Sequence, residues 1–392
     1  MRKIAAVLTL SALFGAAMAD SAAAANVQCG DVITESITLQ SDLGPCPGDG
    51  LVVGADGVRI DLGGHVIRGS GGGAGPVLYA DTKDGVAVDE HNDVSVSNGE
   101  ITNFDVGLNF YEATGPRVTG VEAHHDRVGV LLLEASQGSI TRSNLHHDGY
   151  AIYLYEDSDS NLITDNAMTD STFGVYLDKS SENTIWRNEM RGNLIYGMEV
   201  AIASDRNSIR FNSIVYSVSE GVLISGSHGN RFTDNVVRDT FLNGPVIIGA
   251  SPGTVFARNV IVNSSAGDKT RPGLWINNGS NDAIVSRNEI SGQPIGIEVR
   301  NSRVLISRNA VSDNSGDGIA VITGPGTIID RNVSDLNGDD GIDVDDAAVS
   351  VSRNRADSNG DLGIESLPGT DAGGNRASRN GNPVQCTGVV CK

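Results

Sequence analysis

Short apolar stretches that alternate with polar residues return down this chain at a near-constant interval. The clearest is glycine, apolar, any residue, apolar: Gly174-Val175-Tyr176-Leu177, Gly197-Met198-Glu199-Val200, Gly221-Val222-Leu223-Ile224, Gly296-Ile297-Glu298-Val299, Gly318-Ile319-Ala320-Val321 and Gly341-Ile342-Asp343-Val344. Each reads as a short strand of period-two alternation behind a turn residue. In most repeats a second β-branched stretch, such as Asn183-Thr184-Ile185 or Ala283-Ile284-Val285, precedes an asparagine. Those asparagines (Asn144, Asn166, Asn188, Asn212, Asn235, Asn259, Asn288, Asn309, Asn332, Asn354 and Asn375) stand 21 to 29 residues apart. Such a unit has room for three short strands and none for the roughly 10–12 residues of an amphipathic helix. It can bury its apolar face only against its neighbours, so the pattern predicts an all-β solenoid, a parallel β-helix of about twelve coils. Asparagine is expected at the turn because it tolerates the left-handed conformation, and because amides stacked about 4.8 Å apart hydrogen-bond into a ladder.

The ends are different. Met1-Arg2-Lys3, an apolar run from Ile4 to Ala17 and small-residue sites at Ala17-Met18-Ala19 and Ala23-Ala24-Ala25 predict a signal peptide over 1–25. No later segment approaches the roughly 18 apolar residues of a membrane span. The expected organisation is a cap at 26–50, repeats at 51–380 and a tail at 381–392, in a secreted or periplasmic monomer. Four cysteines, Cys29 and Cys46 before the repeats and Cys386 and Cys391 after them, suit an oxidising compartment. About twelve coils hold the two pairs on the order of 50 Å apart. That leaves Cys29–Cys46 and Cys386–Cys391 as the bridges.

Net charge is −21. Loss of residues 1–25 removes Arg2, Lys3 and Asp20 and leaves −22. So acidic a surface excludes nucleic acid and anionic membranes as partners, and it resists a polyanion unless cations bridge the two.

The repeats resemble the right-handed parallel β-helix superfamily of pectate lyases, alginate lyases and mannuronan C5-epimerases. Stretches such as Ser180-Ser181-Glu182-Asn183-Thr184-Ile185-Trp186-Arg187-Asn188 are most similar to its periplasmic branch, the nitrous-oxide-reductase accessory proteins. The resemblance spans roughly residues 50 to 380. It implies a polysaccharide or envelope glycan as partner, bound on an outward strand face.

The third residue of each strand motif is expected to face outward: Asn109, Leu131, Tyr153, Tyr176, Glu199, Leu223, Ile247, Trp275, Glu298, Ala320, Asp343, Glu365. Two residues on, a parallel column reads Tyr111, Leu133, Tyr155, Asp178, Ala201, Ser225, Gly249, Asn277, Arg300, Ile322, Asp345, Leu367. Aromatic rings among polar groups suit the apolar face and polar rim of a sugar; tyrosine is also simply a good strand residue. Tyr111, Tyr155, Tyr176, Asp178 and Trp275 are the substrate contacts expected from this face. Lys269, Arg271 and Arg300 add positive charge around the longest repeat.

Two clusters carry candidate chemistry. His124-His125-Asp126 and His146-His147-Asp148 lie 22 residues apart, so their imidazoles should stack beside Tyr153 and Tyr155. Histidine and tyrosine can move a proton α to a uronate carboxylate that Arg127 neutralises. His124, His146, His147, Tyr153 and Arg127 are therefore the expected catalytic groups; the alternatives are a transition-metal site or a turn ladder that uses histidine. The mannuronan epimerases' Asp-Pro-His-Asp is absent, since that place reads Tyr153-Leu154-Tyr155-Glu156. The second cluster, Asp339-Asp340-Gly341-Ile342-Asp343 with Asp317 one coil earlier, resembles a pectate lyase calcium motif. The resemblance makes Asp317, Asp339, Asp340 and Asp343 calcium ligands. That family's lysine base has no counterpart between Lys269 and Lys392. Eight coils, about 38 Å, separate the two clusters.

Together these features predict a polysaccharide-active protein, leading with a lyase that abstracts a proton α to a uronate carboxylate. A non-catalytic β-helix that binds glycans or a partner protein is the alternative, and a metallochaperone the third reading.

Overall fold

The computed structural model describes residues 23–71, 82–242, 244–264 and 271–392. Among them are forty-four strands and no helix, paired parallel into a solenoid. One strand of each coil joins a fifteen-stranded sheet running from Asp31–Ile33 to Ile364–Ser366. The other two join a twenty-nine-stranded sheet folded over two faces. Fifteen rungs make about fourteen turns rather than twelve, because the earliest coils lack the asparagine that sets the repeat. The cap expected at 26–50 already contains the first rung, Asp31–Ile33 on Leu51–Val53. The signal peptide lies outside the described residues except for Ala23–Ala25, which pair with Ile37–Leu39. No helix among the described residues is long and apolar enough to cross a membrane.

One apolar core runs from Ile33 to Val389, built from inward residues such as Leu108, Phe110, Val175, Leu177, Phe232 and Phe256. Phe232 and Phe256 are fully buried and stack at 5.1 Å across neighbouring coils. The disulfides are Cys29–Cys46 and Cys386–Cys391, one at each end.

The asparagine ladder is present, with two corrections. The left-handed residue at the corner is the one before the asparagine: Asp165, Arg187, Phe211, Asp234, Arg258, Arg287, Arg308, Arg331 and Arg353 all have φ between 54° and 61°. The asparagine itself points inward, and its Oδ1 accepts the backbone N–H of the preceding rung, as Asn188 does from Asn166 and Asn212 from Asn188. Asn144 is not in the ladder. That rung is Ser143, whose N–H donates to Asn166 Oδ1, while Asn144 is exposed. A second ladder runs along the next corner through Asn314, Asn337, Asn359 and Asn380, and Gln385 caps it. In the early coils the same corner holds Asp126, Asp148, Ser171 and Asn193.

Candidate functional site

The outward column holds its register from Asn109 through Leu131, Tyr153, Tyr176, Glu199, Leu223, Ile247, Trp275, Glu298, Ala320 and Asp343 to Glu365. The parallel column pairs from Tyr111 to Asn277. A bulge after Val299 pairs Arg300 with Thr323, so Ile322 is not its neighbour.

Nor is this face evenly solvated. Leu131, Leu133 and Tyr153 are buried together with Val106 and Val128 in a small outer cluster, onto which Tyr111, Tyr150, Tyr155 and Tyr176 pack. Tyr150 stacks on Phe173 at 4.6 Å, Tyr153 meets Tyr176 at 5.0 Å and Tyr155 at 5.5 Å, and Phe173 meets Tyr196 at 5.6 Å. The result is a patch of half-buried rings spanning several coils.

At the patch's N-terminal end a cavity of about 710 Å³ is lined by Asp84, Asn109, Tyr111, Leu133, Tyr155 and Glu156, among others. Asp84 occupies the rung position that Val106, Val128 and Tyr150 fill later. Burial pushes its carboxyl up to about 7, against the opposing hydrogen bond from Asn109 Nδ2, 2.8 Å from Asp84 Oδ2. At the patch's other end Glu199 is likewise pushed up to about 7, by burial and then by Glu220 and Asp178. Neither acid was among the residues expected to act. Glu199 was visible in the outward column, where it interrupts an aromatic and apolar run, whereas Asp84 lies before the columns begin, and for both the meaning depends on burial.

Further along, Arg271 lies over the Trp275 ring at 4.9 Å, and Arg300 pairs with Glu298. Lys269 lies outside the described residues. Near the C-terminal end, carboxylate oxygens of Asp317, Asp339 and Asp340 lie within 4.8 Å of one another, as do those of Asp340, Asp343 and Glu365. Burial, reinforced by the neighbouring acids, raises Asp317 and takes Asp340 and Asp343 to about 7. Glu365 joins this group without having been expected there.

The histidines stack as expected: His124 on His146 at 4.8 Å and His125 on His147 at 5.2 Å. His124 and His146, however, end strands of the larger sheet, whereas Tyr153 and Tyr155 project from the smaller one. The buried Asp148 and the half-buried Gly149 form the corner between them. Arg127 pairs with Asp105 at 2.5 Å. The imidazoles' own partners are Glu100, Glu122 and Thr102.

Comparison with known proteins gives two family matches: residues 90–268 match the family described as periplasmic copper-binding protein (NosD), and residues 257–389 match right handed beta helix region. No curated protein matches the chain by sequence. Among solved structures, the Dettilon tailspike protein superposes with a TM-score of 0.58 at 15% identity, over 70% of this chain and 62% of its own. The tailspike of E. coli bacteriophage HK620 gives 0.57 at 10% identity, over 92% and 73%. The GH87 α-1,3-glucanase of Streptomyces thermodiastaticus gives 0.55 at 14% identity, over 84% and 63%. The chain thus spans less than two thirds of the Dettilon tailspike. At these identities the likeness is one of fold.

Proposed function

Because the chain folds as a parallel β-helix and its residues 257–389 match the right handed beta helix region, we propose that it is an exported polysaccharide-binding protein whose ligand lies along the outer face of the fifteen-stranded sheet. The observation that carries this is the cavity flanked by Tyr111 and Tyr155, which opens onto the run of rings from Tyr150 to Tyr196. Half-buried rings already fixed by their neighbours offer flat apolar faces at little cost in side-chain entropy, and Asp84, Asn109 and Glu156 supply polar groups for sugar hydroxyls. The likeness to an α-1,3-glucanase supports a glycan ligand by analogy of fold. Two disulfides suit export to an oxidising compartment.

The finer form of the proposal is a polyuronate lyase. On so acidic a chain a polyuronate needs a bridging cation, and the oxygens of Asp317, Asp339, Asp340, Asp343 and Glu365 suit calcium, a hard ion that takes oxygen ligands. His124, His146, His147 and Tyr153 are its proton-transfer candidates. For them to act on one sugar, the substrate has to cross the Asp148–Gly149 corner, and Arg127 has to leave Asp105 to meet a uronate.

One experiment separates the two forms. The purified protein is run through gels containing neutral and uronic polysaccharides, with calcium or chelator, and ultraviolet absorbance of unsaturated product is followed in parallel. Retention by at least one polymer is expected, weakened about tenfold or more in Tyr111→Ala/Tyr155→Ala. No retention by any polymer, or a double variant that binds like the parent, would sink the binding reading. Absorbance that rises and is lost in His146→Ala would establish the lyase; retention without any rise would leave a binding protein.

A further inference from the structure

Five consecutive rungs carry arginine at the left-handed corner of the larger sheet: Arg258, Arg287, Arg308, Arg331 and Arg353. All five are exposed and stand one rung, about 4.8 Å, apart. The fold does not ask for arginine there. Earlier coils place Asp165, Phe211 and Asp234 at the same corner, and the conformation suits asparagine, aspartate or glycine. Several of the corner arginines are balanced by a nearby acid. Asp165 in the preceding rung pairs with Arg187 at 3.0 Å, and Asp234 likewise with Arg258 at 2.6 Å. Arg353 reaches Asp330 at 2.7 Å, and Arg331 stands 3.9 Å from the same carboxylate. Arg287 and Arg308 follow arginines instead, and have no carboxylate partner among the described residues. Like charges in adjacent rungs oppose one another, so this pair is the part of the row that an outside anion would stabilise most.

Their surroundings add two further features. Ser286 and Ser307 directly precede the two arginines and pair in register. Both are half-exposed, and their hydroxyls have no hydrogen-bond partner among the described residues. Two residues further back on the same outward face lie Ile284 and Leu305, with Ile328 in the next rung. Ile284 and Ile328 are exposed. These three apolar side chains line a shallow cavity of about 280 Å³, with Arg303, held by Asp282, at its other end.

We propose that this strip binds a linear sulfated polysaccharide, with one sulfate ester at the rung of Arg287 and one at the rung of Arg308. A sulfate ester presents three terminal oxygens. The guanidinium fork donates to two of them and the neighbouring serine hydroxyl to the third. A carboxylate has only two oxygens, which the fork alone satisfies. The apolar C–H face of the sugar lies over Ile284, Leu305 and Ile328. Because the strip runs along the solenoid axis, it suits a linear polymer rather than a flat lipid surface. The net charge of −21 opposes any polyanion, so binding has to come from this local exception. The site lies on the larger sheet and needs no calcium, so it is separate from the tyrosine patch.

Retention is measured on immobilised dextran sulfate, polygalacturonate and neutral dextran, in chelator and over a range of salt. The parent should be held by dextran sulfate, less by polygalacturonate and not by dextran. Arg287→Gln/Arg308→Gln should bind dextran sulfate at least tenfold more weakly at an unchanged melting temperature. Its slope of log affinity against log salt should fall by about two. Arg117→Gln/Arg206→Gln removes the same charge from acid-paired positions outside the row, and should bind as the parent does. Ser286→Ala/Ser307→Ala should erase the preference for sulfate over carboxylate. The proposal is overturned if the Arg287/Arg308 variant keeps the parent's affinity, or if both arginine variants lose equally. It is also overturned if polygalacturonate is held as tightly as dextran sulfate, or if phosphatidylglycerol vesicles retain the protein and dextran sulfate does not. The tyrosine variant tests the smaller-sheet reading and the arginine variant this one, so either can fail alone.

Discussion

The folded state should be most stable near pH 4–5 and lose stability on the order of several kcal/mol by pH 8. The cause is a set of carboxyls that the fold holds well above their ordinary values. Burial takes Asp84 to about 7. Burial aided by neighbouring acids takes Glu199, Asp340 and Asp343 to about 7 as well. Burial also raises Asp126 and Asp148 in the second ladder. In the unfolded chain these groups ionise near 3.8 for aspartate and 4.5 for glutamate. Between those values and about 7 the folded protein holds protons that the unfolded chain has lost. Their stabilising contribution is therefore complete below about pH 4 and disappears as the pH rises through 7. Asp84, which is 5% exposed, accounts for about 4 kcal/mol of this.

A smaller set works the other way. The hydrogen bond from Arg258 lowers Asp234, and that from Lys179 lowers Glu156. Their contributions are present above about pH 4–5 and lost below it, which sets the acid side of the maximum. Urea melts at pH 4.5, 6 and 8 measure the curve. Asp84→Asn and Asp148→Asn should both raise the pH 8 midpoint and flatten the dependence. Asp148 is well suited to this change, because its Oδ1 accepts the Asp126 N–H as an asparagine would, and its Oδ2 has no hydrogen-bond partner among the described residues. A midpoint that climbs from pH 4.5 to 8, or that neither variant moves, would refute the account.

What repeats with the coil was legible in the sequence. The strand motif, the outward column from Asn109 to Glu365 and the two end disulfides all follow from spacing, because covalent distance along a solenoid maps directly onto position. Features that need a side chain's direction were less legible. The asparagines marked the corner correctly, but the left-handed residue is the one before each of them, and the series began one residue off at Asn144. The second ladder was hidden because its early rungs mix aspartate, serine and asparagine, which all accept a backbone N–H. Burial was least legible of all. Nothing in the spacing shows that Tyr153 is covered by its neighbours, that Asp84 sits where other coils carry valine, or that the Asp148–Gly149 corner turns His146 and Tyr153 onto different faces. Only the three-dimensional neighbourhood makes Asp84 and Glu199 acids that titrate near neutrality.

Replacing Asn259 with alanine should destabilise the protein by about 3–5 kcal/mol, although no binding group is touched. Asn259 is 1% exposed. Its Oδ1 accepts from the Asn235 N–H at 2.9 Å and from Asn235 Nδ2 at 3.3 Å. Its Nδ2 donates to Phe232 O at 3.0 Å and to Asn288 Oδ1 at 3.1 Å. Alanine removes all four bonds and leaves the buried Asn235 N–H without its acceptor. An orphaned buried donor costs about 1–3 kcal/mol, and the bonds lost with it add about 1 kcal/mol each at most. Asn259→Asp keeps the acceptor but turns a carboxylate oxygen toward Phe232 O and Asn288 Oδ1, which offer no hydrogen. That variant should be weaker than alanine at pH 8 and recover in acid, where the carboxyl carries a proton to donate. Because each coil contacts only its neighbours, a break in the middle of the ladder separates the solenoid into two weakly coupled halves and broadens the urea transition. Asn144→Ala, exposed and off the ladder, should change stability by less than about 0.5 kcal/mol. Equal losses for Asn144→Ala and Asn259→Ala would mean that the ladder register is wrong; a loss below about 1 kcal/mol at Asn259 would mean that the amide stack contributes little to holding the coils together.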